Sequence, residues 1–128
     1  MEYLTMICDL KKSRSLPNRE QVQYQLIDML KETNLIFASS IVVPFIITLG
    51  DEWEGLLKHD CNYMEILDFF HKKLGVIDFY CGIGIGPVSI TNFQLTVNQL
   101  VGPSFYLARD AIFETKKLNK SLILKRES

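Results

Sequence analysis

The sequence predicts an α+β fold, and three observations carry that prediction. Short β-rich runs alternate with longer stretches of helical periodicity. A Gly-Asp pair joins two β-rich runs with no room for a helix between them. The resulting order, β-α-β-β-α-β followed by α-β, is that of a split βαβ, ferredoxin-like core with a C-terminal αβ extension. The chain has 128 residues and is 48% hydrophobic, enough for one domain with one core and too apolar for disorder.

Each element has a local reason. Residues 3–9 read as a buried strand closed by Asp9. Residues 11–15 form a polar loop, and Asn18 is a candidate N-cap for a helix with Val22, Leu26, Met29, Leu30 and Thr33 inward, ending near Asn34. Residues 40–49 form the next strand, where Pro44 calls for an edge, a bulge or a late start. Gly50-Asp51 makes the hairpin turn, and residues 53–57 return. Asn62 and Glu65 have capping-box spacing before a helix that buries Ile66, Leu67, Phe70 and Leu74.

Residues 76–90 are β-rich, with Gly82, Gly84 and Gly86 baring one face of the strand to another backbone or a ligand. Residues 94–100 fit either a loop or a short helix. Residues 102–119 form a third helix with Phe105, Ala108, Ala111, Ile112, Thr115 and Leu118 inward, and Lys116, Lys117 and Lys120 near its negative end. Residues 121–125 form a last strand. The abrupt end at Ser128 points to a piece of a longer protein.

Composition excludes several classes. A net charge of −1 gives no general attraction for nucleic acid or an anionic membrane. Cys8, Cys61 and Cys81 make no C-x-x-C pair, so zinc and redox motifs are unsupported and a reducing, cytoplasmic setting is expected. The longest apolar run is too broken to span a bilayer, and no signal peptide is evident. His59 and His71 lack ligand spacing. The alternate glycines are not a dinucleotide fingerprint, no Ser-His-acid arrangement stands out, and Trp53 and the other aromatics read as packing.

The chemistry lies in the acids. In the predicted core, the strands bearing Asp9 and the Gly50-Asp51-Glu52 turn are neighbours, so three carboxylates converge at one end of the sheet. Mg²⁺ and Mn²⁺ prefer carboxylate and phosphate oxygens. Asp9 and Asp51 are therefore candidate metal ligands, with Glu52 auxiliary. Without a cation such carboxylates repel, and one pKa should rise. The plainer alternative is a hairpin turn, a solvated Glu52 and a loop-capping Asp9. Lys11, Lys12, Ser13 and Arg14 follow Asp9 directly and make either a phosphate cradle or a solvated loop. Arg109 is a further phosphate candidate from the third helix.

These residues resemble a known family. Asp9-Leu10-Lys11-Lys12-Ser13-Arg14, Arg19 and Gln23, the run Thr48-Leu49-Gly50-Asp51-Glu52-Trp53-Glu54-Gly55-Leu56-Leu57, the alternate glycines, and Gly102-Pro103-Ser104-Phe105-Tyr106-Leu107-Ala108-Arg109-Asp110-Ala111-Ile112 are similar to the SatD family of bacterial proteins. The resemblance covers nearly the whole chain. It implies a longer protein whose further segment carries a helix-turn-helix. Val101 stands where many SatD relatives have Asp.

More distantly, the motifs are similar to class III nucleotidyl cyclases and GGDEF domains. Those enzymes put one metal-binding Asp at the end of the first strand and another acid in the hairpin, which correspond to Asp9 and Asp51, with Glu52 at the second acid of the GGDEF signature. Leu49 replaces that signature's first Gly, and Ile47 stands where cyclases carry a base-reading Lys. Tyr106 and Asp110 occupy the spacing of the cyclase Asn and Arg, with Arg109 out of step by one. The resemblance thus implies a nucleotidyl cyclase-like fold that keeps the metal half of the site and lacks the cyclising half. The expected protein is a homodimeric, metal-dependent regulatory domain for a nucleotide or other phosphorylated small molecule, with no membrane contact and no direct nucleic-acid binding. A diverged phosphoryl-transfer enzyme and the dimerisation domain of a DNA-binding regulator are the alternatives.

Overall fold

A computed structural model describes residues 1–127. It is an α+β fold with a five-stranded mixed sheet and three helices. The elements are β1 (Tyr3–Leu10), α1 (Arg19–Ile36), β2 (Ile41–Leu49), β3 (Glu52–Lys58), α2 (Tyr63–Leu74), β4 (Phe79–Gly86), α3 (Pro103–Leu118) and β5 (Leu122–Arg126), with 3-10 turns at Ser13–Ser15 and Val97–Gln99. The strand order is β2-β3-β1-β4-β5. β5 runs parallel to β4, and the other pairs are antiparallel. Among the described residues, no helix is long and apolar enough to cross a membrane.

The helices bury the stripes their periodicity dictates. Val22, Leu26, Met29, Leu30 and Thr33 of α1 and Ile66, Leu67, Phe70 and Leu74 of α2 are all buried. α1 continues to Ile36, two residues past its expected end. There Asn34 earns its place through tertiary structure: its side chain accepts from the Phe45 N–H at 2.8 Å and donates to the Phe45 carbonyl at 3.0 Å. That satisfies the backbone of β2 beside Pro44, where the ladder is irregular and the strand is an edge.

Two expected caps do not form. Asn18 precedes α1 with φ 53°, a left-handed conformation rather than the extended one in which its side chain reaches the first free amides, and it makes no capping bond. Asn62 makes none either, because the Glu65 N–H is taken by the Asn62 main-chain carbonyl at 3.2 Å. The capping box lies instead at Thr96 and Gln99, around the 3-10 turn.

Period-two alternation sorts the central strands onto two faces. Leu4, Met6, Cys8 and Leu10 of β1, with Trp53 and Leu57 of β3 and Cys81, Ile83 and Ile85 of β4, meet α1 and α2. The Trp53 and Phe70 rings lie 5.8 Å apart and Phe45 and Phe70 5.5 Å apart, so these aromatics are packing, as their sequence positions suggest. Cys8 and Cys81 face each other across the ladder as buried free thiols, and burial pushes the Cys8 thiol far above its ordinary pKa.

The opposite face carries Thr5, Ile7 and Asp9 and is covered by α3. Ile7 packs on Ala108 and Ile112. A β-carbon on Gly84 would collide with the Ala108 amide and the Ser104 carbonyl, and one on Gly82 with the Ile112 backbone. The bare glycine face thus receives another backbone, that of α3. The Ser104 hydroxyl locks the contact, 2.8 Å from the Thr5 hydroxyl and 2.9 Å from the Gly84 carbonyl. The sheet-facing stripe of α3 ends at Thr115, so Leu118, expected inward, is 53% exposed.

Candidate functional site

Register places the acids. Asp9 lies opposite Glu52, and Ile7 opposite Glu54, so Asp9, Glu52 and Glu54 share the face that α3 covers. Gly50, with φ 49°, turns the β2–β3 hairpin and sets Asp51 at its tip. The Leu10 N–H donates to the Asp51 carbonyl at 3.2 Å, tying that tip to the end of β1.

α3 answers the acids with cations. Ser104, Ala108, Ile112 and Lys116 recur every four residues and track Thr5, Ile7 and Asp9 along β1. The series ends with Lys116 in an ion pair with Asp9. One position along from Ala108, Arg109 holds Glu52 in a two-pronged pair, Nη1 to Oε1 at 2.7 Å and Nη2 to Oε2 at 3.2 Å. The Thr48 hydroxyl donates to Glu52 Oε2 at 2.6 Å. Glu54 Oε1 lies 3.9 Å from Arg109 Nη2, and its carboxyl makes no hydrogen bond among the described residues.

Two clefts result. The first, about 460 Å³, is lined by Asp9, Lys12, Ser13, Arg14, Asp51, Tyr80 and Lys116. Asp9 Oδ1 is buried there without a hydrogen-bond partner among the described residues. Burial raises the Asp9 pKa most; Lys116 opposes the rise, while the charges of Asp51 and Glu52 add to it. The repulsion expected between converging carboxylates is therefore at work. Lys12 has φ 52°, a left-handed backbone that costs a side-chain-bearing residue about 1 kcal/mol or more.

The second cleft, about 390 Å³, opens between the hairpin, the turn Val97–Gln99 and α3, with Glu52, Glu54 and Arg109 in its wall. The two glutamates titrate in opposite senses. Burial acts to raise Glu52, but the bonds from Arg109 and Thr48 outweigh it and hold the pKa below the ordinary range. Burial also raises Glu54; with no such bonds, and with Glu52 adding repulsion against the pull of Arg109, its pKa climbs to about 7.

The residues singled out in the sequence are thus divided. Asp9, Asp51, Lys12, Ser13 and Arg14 line one cleft. Lys11 turns away: its ammonium pairs with Asp78 at 3.1 Å, donates to Ser121 Oγ at 3.0 Å and lies 4.9 Å over the Tyr80 ring. Glu52 and Arg109 bind each other in the second cleft. Among the described residues, no group of three or more His, Cys, Asp or Glu stands together as a ready-made metal cage.

Sequence reasoning missed Glu54, Thr48, Tyr80 and the reach of Lys116. Glu54 had a signal: it sits two residues from Glu52 on a strand, hence on the same face. Lys116 had one in its four-residue spacing from Ser104, Ala108 and Ile112.

The fold and site define an α+β domain with an acidic hairpin beside a basic turn. The SatD family model matches residues 3–120, and the chain belongs to the SatD family. No curated protein matches it at a significant level.

Proposed function

We propose that this SatD domain binds a phosphorylated small molecule, a nucleotide being the leading class, together with Mg²⁺ or Mn²⁺, and that it does so as a regulatory domain without cyclase turnover. The observation that carries the reading is the composition of the first cleft. Two carboxylates, Asp9 and Asp51, share it with Lys12, Arg14 and Lys116 and the hydroxyl-bearing Ser13.

The donor set suits a hard cation of this kind. Mg²⁺ is held by one or two carboxylates, with substrate phosphates and waters completing its shell, rather than by a full protein cage. Asp9 Oδ1 is a buried acceptor in need of a partner. Asp9 and Asp51 would hold the ion, while Glu52, already committed to Arg109 and Thr48, stays outside its shell. The ion would neutralise phosphate charge beside the carboxylates. Lys12, Ser13 and Arg14 then supply donors to the remaining phosphate oxygens.

The strand order β2-β3-β1-β4 supports a ferredoxin-like core, with β5 as its extension, and is compatible with the cyclase-like reading of the motifs. Binding without turnover is supported by Arg109. Its guanidinium is held by Glu52 and lines the second cleft, away from the place where developing charge on phosphorus would need it.

Calorimetry with Mn²⁺ and a nucleotide panel tests the proposal. Wild type is expected to bind at least one nucleotide in a metal-dependent way, and Asp9→Asn to lose about tenfold or more of that affinity. Equal, metal-independent binding by both proteins would contradict it.

A further inference from the structure

We propose that the second cleft binds a small organic cation, with an amidinium or guanidinium head on a compact apolar body, and that Glu54 anchors that head. This site is separate from the Asp9–Asp51 cleft, and the inference stands whatever that cleft binds.

The argument begins with charge. Among the described residues Arg109 is the sole cationic one lining the cleft, and both prongs of its fork bind Glu52. Thr48 is spent on the same carboxylate. Glu54 is left over: its side chain is only 7% exposed, its nearest cation is 3.9 Å away, and it accepts no hydrogen bond among the described residues. A carboxyl mostly withdrawn from water, with only a long ion pair to Arg109 and no hydrogen bond in return, is costly to keep charged unless something else supplies a donor. Because Glu54 lines the cleft, that donor can come from a ligand.

Shape and lining narrow the class. A volume of about 390 Å³ admits a small molecule. Val97, Leu100 and Phe105 give it apolar walls, with Asn98 and Tyr106 as polar neighbours. Above pH 7, where Glu54 is ionised, two carboxylates against one guanidinium leave the wall short of positive charge, which disfavours an anion. A planar fork of N–H donors carrying one positive charge matches a carboxylate through two parallel bonds. The apolar walls fit a flat or compact body behind that fork.

The probe is benzamidine, with neutral benzamide and anionic benzoate as controls. Each is titrated into the whole chain in the presence of EDTA, followed by amide chemical shifts and by calorimetry. EDTA removes divalent cations, so the outcome is independent of the metal proposal. Expected are saturable benzamidine binding and shifts centred on Thr48, Glu54, Asn98 and Arg109. Benzamide should bind about tenfold or more weakly, as should benzamidine on folded Glu54→Gln, and benzoate should not saturate. The proposal is overturned if benzamide or benzoate binds as tightly as benzamidine, if the shifts map elsewhere, or if folded Glu54→Gln binds unchanged. Should that variant fail to fold, the wild-type shift map and the ligand series decide alone.

Discussion

The two faces of one sheet do different work. On the α1–α2 face, large side chains interlock: Trp53, Phe70, Phe45 and Phe79 are buried together with the leucines and methionines of β1 and α1. On the α3 face apolar packing, of Leu56 with Phe105 and Val97 and of Ile7 with Ala108 and Ile112, is interleaved with small and charged contacts. Glycines lie under helix backbone, Ser104 bonds Thr5, and two buried acids, Glu52 and Glu54, with the half-buried Asp9, lie within reach of two cations. Alternate residues of β1 and β3 feed the two faces, so one strand segment contributes both packing and chemistry. The first face stabilises the domain through area removed from water. The second spends part of that stability holding carboxyls where water cannot fully reach them.

Substitutions on each face break this contrast in different ways. The largest expected effect is on the apolar face: Phe70→Ala leaves a cavity among Trp53, Phe45 and Phe79 and should cost about 3–5 kcal/mol at any pH, read from denaturant unfolding.

On the other face the effect depends on pH. Glu54 has a folded pKa of about 7 against an ordinary 4.5, so its contribution is intact below 4.5 and is lost as pH rises through 7. The loss at pH 8 is on the order of 3 kcal/mol. Glu54→Gln should therefore stabilise the protein at pH 8 and change little near pH 4.5. Glu52 has the opposite sign: its pKa is lowered, so its stabilisation is present above the ordinary carboxylate range and disappears as pH falls through the folded value. Melting curves across pH for wild type and Glu54→Gln check both. A pH-independent difference between them would mean Glu54 is not held as described.

A smaller expected effect comes from Gly84→Ala, which forces the α3 backbone off β4 and should cost about 1–3 kcal/mol through overpacking. Because α3 also delivers Lys116 and Arg109, this variant should perturb amides at Asp9 and Glu52 as well as those beside the substitution. Shifts confined to β4 would show that the helix seat and the acids are uncoupled.

How legible each face was follows from the same contrast. The apolar face could be read from periodicity, because burial of α1 and α2 is a local property of spacing: every expected core residue of both helices is buried. β2 appeared with its edge position because Pro44 restricts it directly. The α3 face was half legible. Asp9 and the Gly50-Asp51 turn were visible because strand ends and hairpin turns have local signatures. The fates of Lys11, Arg109 and Lys116 were not, because each depends on partners distant in sequence: Asp78 and Ser121, Glu52, and Asp9. A long cation can reach several acids, and only the docked helix and the closed sheet decide which. The caps at Asn18 and Asn62 failed for a related reason, since backbone conformation at the helix entrance, rather than residue type, decides whether a side chain can reach back.

The most direct test of the proposed metal site is paramagnetic broadening by Mn²⁺ in the presence of a nucleotide. The account predicts selective loss of amide signals from Leu10 to Arg14 and around Gly50 to Glu52, with the pattern abolished in Asp9→Asn. Uniform broadening, or a selective pattern that survives Asp9→Asn, would contradict it.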